Sequence, residues 1–339
     1  MLRATLIRPG EIGLEETKIP EPAPGEVLIR VKAAMTCGTD LKAYLRGHKL
    51  IPMPGPFGHE YSGEVVSVGE GVDNFKIGDE VMGVHSAPCM SCDYCKRRIF
   101  NLCENIMETK VLGSYAEFLL LPAHIVKQNL YHKPENISFE EAALLEPLSC
   151  VVHAYREMAF EEIGNALVIG SGAIGLMHTL FLKAQGIAVT VMDINSGRLD
   201  SARNMGADFT VIPDDIGNLM ENLTDGMGFD LVVECTGQVK VWEDTVSYVR
   251  RGATVILFGG CPTGSRVTYD TTMLHYNELT LKGSFHYTPE DVRYAREFII
   301  KRKMDLSALI TDSFPLKDIR SVFSLLSQGK GIKFAIKPD

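Results

Sequence analysis

Four cysteines in one short segment are the residues of this chain best suited to binding a metal. They follow the pattern C-x2-C-x2-C-x7-C, as Cys89, Cys92, Cys95 and Cys103. Thiolates at such intervals can surround one tetrahedral Zn²⁺ ion, and four sulfur ligands leave no open position for a reaction. Two short disulfides are the alternative, which the close spacing disfavours. The pattern predicts a structural zinc lobe at about residues 86–106.

Cys37, His59 and Glu146 are candidates for a second, reactive metal site. A cysteine alone is usually a small buried apolar residue, and a lone histidine is usually hydrogen-bonded in the structure. An open zinc site, however, needs three protein ligands and keeps one position for water or substrate. Glu146 lies in an apolar run, where a carboxylate requires a charged partner. A metal would supply that partner, and so would an ion pair across a domain cleft.

The segment Gly170–Gly175 reads G-S-G-A-I-G, directly after an apolar strand and at the start of a helix. Its glycines allow a tight turn and close approach of a pyrophosphate to backbone N–H groups at a helix N-terminus. Asp193, 18 residues further on, can accept the ribose hydroxyls and would repel a 2′-phosphate, which favours NAD. Arg198 could instead meet a phosphate, stack on adenine or be solvated.

Strands alternate with helices after about residue 165, which predicts parallel strands joined by crossover helices. Six strands are expected, at 166–170, 188–193, 208–212, 230–235, 253–258 and 279–285. The first third is rich in Gly and Pro with short β-branched runs, as in an irregular antiparallel β domain. A helix at 291–303 precedes a short tail, which we assign to that first domain.

Composition excludes several classes of protein. The chain has 339 residues, 45% hydrophobic and 23% charged, with a formal net charge of −9 and no basic run that could neutralise phosphates. We therefore expect a globular protein with no nucleic-acid partner. The apolar segment 166–182 contains glycines, Ser171 and His178, which argues against a membrane span. The N-terminus lacks an apolar export signal, so we expect a cytoplasmic location.

The chain resembles the zinc-containing medium-chain alcohol dehydrogenases. The run Gly58-His59-Glu60, with Gly63, Gly69 and Val72, matches their signature, and the likeness extends over essentially the whole chain. It implies an α/β protein with a discontinuous GroES-like irregular β-barrel catalytic domain at 1–150 and 289–339. It also implies a Rossmann doubly wound parallel-sheet NAD domain at 151–288, with one catalytic and one structural zinc. A homo-oligomer, tetramer or dimer, is implied by the same analogy.

The resemblance also implies roles for individual residues. Cys37 and His59 would ligate the catalytic zinc, Glu60 would be a direct or exchanging ligand, and Glu146 would bind directly or through water. Independently of the resemblance, Thr39 lies two residues from Cys37, where it could accept the proton of the substrate hydroxyl and pass it toward the cofactor ribose; it could equally be a helix N-cap. The cofactor contacts expected from the glycine loop and from the resemblance are Gly170, Gly172, Ala173, Ile174, Gly175, Asp193, Arg198, Phe258, Gly259, Gly260, Ser284 and Phe285.

The substrate is less well defined by these patterns. The run Glu146–Ser149 is similar to the sorbitol (polyol) dehydrogenase branch, and Cys37–Asp40 is similar to L-threonine 3-dehydrogenase. Lys42 stands where many relatives carry a proton-relay histidine, and His286-Tyr287 where sorbitol dehydrogenases carry Arg-Tyr. The first hypothesis is oxidation of a secondary alcohol, either a polyol or a sugar derivative. The alternatives are an amino-alcohol dehydrogenase and a non-catalytic nucleotide-binding protein.

Overall fold

The computed structural model describes residues 1–338. The strands are β1 Leu2–Arg8, β2 Glu11–Glu16, β3 Val27–Met35, β4 Gly55–Pro56, β5 Glu60–Val68, β6 Glu80–Gly83, β7 Phe118–Leu121, β8 Leu130–His132, β9 Asn165–Ile169, β10 Ala188–Met192, β11 Phe209–Val211, β12 Phe229–Glu234, β13 Val249–Leu257, β14 Thr280–Gly283, β15 Ile310–Pro315 and β16 Lys333–Lys337. The helices are α1 Gly38–Arg46, α2 Asp93–Lys96, α3 Ala123–Asn129, α4 Phe139–Ala143, α5 Leu145–Ala154, α6 Ala173–Ala184, α7 Ser196–Asn204, α8 Ile216–Thr224, α9 Val239–Asp244, α10 Thr271–Tyr276, α11 Pro289–Ile300 and α12 Ile319–Ser327.

The chain divides into two compact units. One consists of Met1–Ser149 together with the residues from His286 onward, and the other is Cys150–Phe285. The borders predicted from the sequence were 150/151 and 288/289. Within residues 1–338, no helix combines the length and apolar character that crossing a membrane requires.

The first unit is built on a seven-stranded sheet with the order β15-β16-β3-β5-β6-β8, in which β7 also pairs with β3. A smaller sheet has the order β2-β1-β4. The antiparallel pair β3–β5 ends with Met35 opposite Glu60, so the exit of one strand meets the entry of the other. The aromatic rings of Phe57, Tyr115 and Phe323 pack against each other in the core of this unit.

The second unit is a six-stranded parallel sheet with the order β11-β10-β9-β12-β13-β14. The central strands are rich in buried branched residues such as Leu167, Val232 and Val255, as expected for a sheet covered on both faces. The strand order reverses between β9 and β12, where the carboxyl ends of parallel strands form a ligand crevice. The predicted Rossmann fold and its six strands are confirmed.

Several predicted element boundaries were wrong by a few residues. Strand β13 begins at Val249, whereas β14 is confined to Thr280–Gly283. Helix α11 begins at Pro289 and not at 291, because Thr288 and Asp291 form a capping box that places Pro289 at the first helical position. It ends at Ile300, three residues before the predicted end.

Candidate active site and nucleotide site

The β3–β5 register brings Cys37 and His59 together. Cys37 lies just beyond the end of β3, and His59 immediately precedes β5. Gly58 makes the turn into His59 with φ +87°, and a Cβ there would lie 2.6 Å from the Ser114 hydroxyl. Ligand atoms of Cys37, His59 and Asp40 all lie within 4.8 Å of one another, as do those of His59, Glu60 and Glu146.

Asp40 is a member of this site that sequence analysis did not select. It is fully buried in the first turn of α1, and its Oδ1 lies 3.3 Å from His59 Nδ1. Tyr115 donates its hydroxyl proton to Asp40 Oδ2 at 3.0 Å. The carboxylate faces Nδ1 of the imidazole, which leaves Nε2 as the nitrogen for a metal. The available signal was its position, one helical turn beyond Cys37.

Glu60 is paired with a lysine from the far end of the chain. Lys333 Nζ lies 2.8 Å from Glu60 Oε1 and 2.7 Å from Oε2, and both side chains are buried. Strand β16 places Ala335 opposite Met35, which brings Lys333 beside the end of β3. Burial raises the pKa of Glu60, and the positive charge of Lys333 opposes that shift. Sequence spacing gave no sign of this pair.

Glu146 enters a polar network at the start of α5. Its Oε1 lies 3.3 Å from His85 Nδ1, and Tyr287 OH lies 3.2 Å from the same nitrogen. The Ser86 hydroxyl is 3.0 Å from Tyr287 OH and 2.6 Å from His286 Nε2. Burial alone would raise the pKa of Glu146, but the His85 imidazole holds it below its usual value. Glu146 therefore has a partner within its own unit.

The charges around His59 fit a bound cation. Burial lowers the pKa of this imidazole, but Asp40 and the Cys37 thiol more than compensate and raise it well above its usual value. Groups that stabilise a positive charge on the imidazole can also stabilise a divalent ion in the same place. Thiol, imidazole and carboxylate are the ligand types that zinc prefers. The donor set thus matches the predicted metal.

Thr39 is not the N-cap of α1, so that alternative was wrong. Cys37 occupies the N-cap position, with extended backbone angles, and its Sγ accepts a hydrogen bond from Thr39 N at 3.4 Å. Thr39 is the second residue of the helix, and its side chain is partly exposed. Its hydroxyl is therefore not needed to cap the helix.

The four cysteines of the lobe converge on one point. Their sulfur atoms lie within 4.8 Å of one another, and Cys89 Sγ and Cys95 Sγ are 3.9 Å apart. Within residues 1–338 none of these four cysteines forms a disulfide, so the disulfide alternative was wrong. The Ser91 hydroxyl and nearby backbone N–H groups lower the pKa of Cys89 to about 5, which favours its thiolate. Burial and the neighbouring thiols raise the pKa of Cys95 to about 12. A bound cation would stabilise the thiolate and oppose that shift.

The glycine loop has the geometry of a phosphate-binding turn. Gly170 has φ +96°, a conformation that L side chains rarely adopt. A Cβ on Gly175 would lie 1.8 Å from Gly170 O, so helix and strand can pack this closely only with glycine there. A Cβ on Gly172, the N-cap of α6, would meet nothing within 4 Å. Open space thus adjoins the helix N-terminus, as a pyrophosphate requires.

A cavity of about 370 Å³ lies at this edge of the parallel sheet. Four of the predicted cofactor residues line it, namely Gly170, Gly172, Asp193 and Arg198. Others that line it were not predicted: Cys235, Thr236, Gln238, Val241, Asp244 and Tyr248. Cys235, Thr236 and Gln238 closely follow β12, at the strand-order reversal, so the rule that ligands bind at this point could have located them.

The remaining predicted cofactor residues do not line this cavity. Ala173 and Ile174 begin helix α6, and Ser284 and Phe285 follow β14. Phe258, Gly259 and Gly260 form the turn after β13, where Gly259 O accepts a hydrogen bond from Trp242 Nε1 at 2.9 Å. Their contacts with a cofactor stay a prediction.

Glu234 is a buried carboxylate at the reversal point that sequence analysis missed. It ends β12 and accepts hydrogen bonds from Thr236 N at 2.6 Å and Gly237 N at 2.9 Å. A Cβ on Gly259 would lie 2.7 Å from its Oε2. The Glu234 backbone oxygen accepts hydrogen bonds from Phe258 N at 3.0 Å and Gly259 N at 2.9 Å. Glu234 therefore supports both loops that follow β12 and β13, and burial raises its pKa.

Comparison with known protein families identifies both halves of the chain. A model of the alcohol dehydrogenase GroES-like domain matches residues 23–132, and a model described as zinc-binding dehydrogenase matches residues 173–301. Together these matches span more than half of the sequence.

Named relatives match over nearly their whole length. L-threonine 3-dehydrogenase from Rhizobium etli (strain CIAT 652) is 31% identical, over 98% of this chain and 97% of that protein. Sorbitol dehydrogenase from Gallus gallus is 31% identical, over 100% of this chain and 96% of that protein. The crystal structure of 2R,3R-butanediol dehydrogenase from Bacillus subtilis matches with a TM-score of 0.88 and 26% identity, over 100% and 99% of the two chains.

Proposed function

The chain belongs to the zinc-binding alcohol dehydrogenase family, and from that membership we propose that it oxidises a secondary alcohol to a ketone with NAD. A polyol or a sugar derivative is the proposed substrate class. The observation that carries the proposal is the convergence of Cys37, His59, Glu60 and Glu146 in two overlapping sets of ligand atoms. A non-catalytic nucleotide-binding protein would have no need for such a site.

Cys37 and His59 would hold the catalytic zinc, with Glu60 and Glu146 as direct, exchanging or water-linked ligands. When bound, zinc supplies Lewis acidity that makes a hydroxyl easier to deprotonate. Lys333 neutralises Glu60 and orients it, and Asp40 fixes the tautomer of His59. Cys89, Cys92, Cys95 and Cys103 would hold the structural zinc. These assignments rest on the chemistry of the donor sets.

Thr39 is proposed to relay the proton of the substrate hydroxyl: its oxygen would accept that proton while its own hydroxyl proton passes toward the cofactor ribose. It lies two residues from Cys37 in the first turn of α1, and its hydroxyl has no helix-capping role that would compete. Lys42 replaces the usual relay histidine further along the same helix. When bound, NAD would supply the hydride acceptor, and the protein would supply position and electrostatics.

The polar network beside Glu146 supports a substrate with several hydroxyl groups. Ser86, His286 and Tyr287 offer hydroxyl and imidazole groups that can donate or accept hydrogen bonds. Two of the named relatives, sorbitol dehydrogenase and butanediol dehydrogenase, have names that refer to such alcohols. The second candidate is an amino alcohol, favoured by the likeness to L-threonine 3-dehydrogenase. Lys42, Arg46 and Arg293 are the basic residues proposed to meet the carboxylate of a substrate such as threonine.

The Asp193 carboxylate would repel a 2′-phosphate, which favours NAD over NADP. The family analogy favours a homo-oligomer, either a dimer or a tetramer. A cytoplasmic location also stays a proposal.

Substitution of the two principal ligand candidates tests the catalytic site. Cys37→Ser or His59→Ala should abolish alcohol-dependent formation of NADH, because each removes a zinc ligand. NADH binding should be retained, since the nucleotide cavity lies in the other unit. Substrates for the assay are a panel of polyols, sugar phosphates and threonine, with NADH absorbance as the readout. Activity retained by either variant would refute the assignment.

A further inference from the structure

Asp193 is held on both carboxylate oxygens by the protein itself. Its Oδ2 accepts hydrogen bonds from Ser171 N at 2.7 Å and from Ser171 Oγ at 2.8 Å. Its Oδ1 accepts a third from Asn195 N at 2.9 Å. Ser171 is 1% exposed and Asp193 7% exposed, so water competes little for these bonds.

These contacts decide what the carboxylate can offer a cofactor. A carboxylate has about four lone-pair positions. Three are occupied, and the remaining one is on Oδ1. Both positions on Oδ2 are directed to Ser171, which lies in the glycine loop and not among the cavity-lining residues. Asp193 can therefore accept one ribose hydroxyl through Oδ1 without losing an existing bond, and not both hydroxyls as the sequence pattern predicts.

We propose that the Ser171 hydroxyl is a specificity-determining group that keeps Asp193 in place and thereby excludes NADP. The inference rests on the proposed function, because it assumes that a nicotinamide dinucleotide occupies this cavity. A 2′-phosphate beside Asp193 would face a like charge at close range. Entry of NADP requires the Asp193 side chain to turn away, which breaks all three hydrogen bonds.

Arg198 also lines the cavity and could pair with a phosphate once Asp193 has moved. Asp244 is the other charged residue among the lining residues, and it does not favour an anion. A phosphate would be attracted to Arg198. The selectivity of the site thus depends on how firmly the hydrogen bonds hold Asp193 in place against that attraction. The backbone N–H donors of Ser171 and Asn195 are fixed by the fold. The Ser171 hydroxyl is the one donor of the three that belongs to a side chain, so a substitution can remove it.

Replacement of Ser171 by alanine should relax selectivity without loosening NAD. The backbone N–H groups still hold one bond on each oxygen, so NADH affinity should stay within about threefold. Removal of one charge-assisted bond makes displacement of Asp193 easier. We expect NADPH to bind about tenfold more tightly relative to NADH, equivalent to about 1.4 kcal/mol.

Binding can be measured without catalysis. Trp242 is the chain's one tryptophan, and it follows the cavity-lining Val241 in α9. Quenching of its fluorescence by NADH and by NADPH gives the two dissociation constants for wild type, Ser171→Ala and Ser171→Cys. The cysteine variant keeps the volume with a weaker donor, and an intermediate ratio is expected. Asp193→Gly should relax selectivity further. Ser201→Ala, at a partly exposed position of helix α7 in the same unit, is the matched control and should leave the ratio unchanged.

The outcomes separate this inference from the function on which it rests. A wild type that binds NADH selectively, with an unchanged ratio in Ser171→Ala, would overturn the role of Ser171 alone. A wild type that binds NADPH as tightly as NADH would overturn the proposed exclusion by Asp193. If neither cofactor binds, the proposed dehydrogenase function fails as well.

Discussion

Asp40 and Lys333 are buried charges that stand behind the candidate metal ligands. Neither has water as an alternative partner, since Asp40 is fully buried and Lys333 is 2% exposed. A buried charge that loses its partner strongly destabilises the folded protein. Both charges therefore need their partners among the candidate metal ligands. Asp40 contacts His59, and Lys333 contacts Glu60. The geometry of the metal site therefore depends on residues outside the motif that carries the ligands.

The effect of Asp40 can be measured with a substitution that preserves its shape. Asp40→Asn removes the negative charge that orients His59, and second-sphere changes of this kind typically cost about 10- to 100-fold in metal affinity or activity. We expect kcat/KM for the alcohol to fall by that factor and one zinc per chain to become easier to remove by dialysis against a chelator. NADH affinity should not change. Asp73→Asn, on the surface of the same unit, is the control. Full activity with both zinc ions retained would exclude this role.

Tyr115→Phe removes one hydrogen bond to the same carboxylate but leaves its charge. A smaller loss, of about threefold to tenfold, is expected from the usual net value of one such bond. Equal effects of Tyr115→Phe and Asp40→Asn would show that packing around Asp40, and not its charge, determines the orientation of His59.

At the scale of elements, the cysteine lobe has little apolar material of its own. Its core is the cysteines with Phe100 and Ile106, and its helices are short pieces such as Asp93–Lys96. So few buried apolar contacts give a segment low local stability. A structural metal would then supply most of the free energy that orders the lobe.

Proteolysis can report on that dependence. Lys96, Arg97 and Arg98 are exposed trypsin sites on the lobe. In the Cys103→Ser variant, which lacks one of four ligands, we expect cleavage there to be about tenfold faster than in zinc-loaded wild type, because local opening becomes easier. Cleavage after Lys76, which is exposed in the same unit, provides the internal control and should not accelerate. Equal rates at the lobe would show that it is ordered without metal.

Elements formed by local signals could be predicted from the sequence, whereas those formed by distant pairings could not. The strand–loop–helix unit around Gly170–Gly175 has its turn, its glycines and its apolar strand within one segment, so its place in a Rossmann sheet was predicted correctly. The contact between Glu60 and Lys333 joins residues 273 positions apart. It depends on the pairing of β16 with β3, which no local pattern encodes. Glu234 was missed for a related reason, since its role is visible only once the β12 and β13 loops are adjacent.

At the scale of the whole molecule, pH links one buried histidine to the stability of the fold. His178 is fully buried in α6, where Tyr155 OH lies 2.7 Å from its Nδ1 and the Phe258 ring packs against it. Burial lowers the pKa of His178 to about 3, so the imidazole is neutral in the folded chain. In the unfolded chain the pKa is close to about 6.5. The unfolded state therefore binds the additional proton as the pH falls below that value.

The folded state should lose stability on acidification through this residue. Above about pH 6.5 neither state protonates His178, and its contribution is complete. Between about pH 6.5 and 3 the free energy of unfolding should fall by about 1.4 kcal/mol per pH unit from this group.

His178→Phe removes that dependence but leaves the Tyr155 hydroxyl without its partner, at a cost of about 1 kcal/mol at pH 8. Urea unfolding of both proteins at pH 5, 6, 7 and 8 should show the variant to be less stable at pH 8 and to gain on wild type below pH 6.5. His275→Phe, at an exposed site, should follow wild type throughout. Parallel stability curves for His178→Phe and wild type between pH 5 and 7 would mean that the buried imidazole is not the group that senses acid.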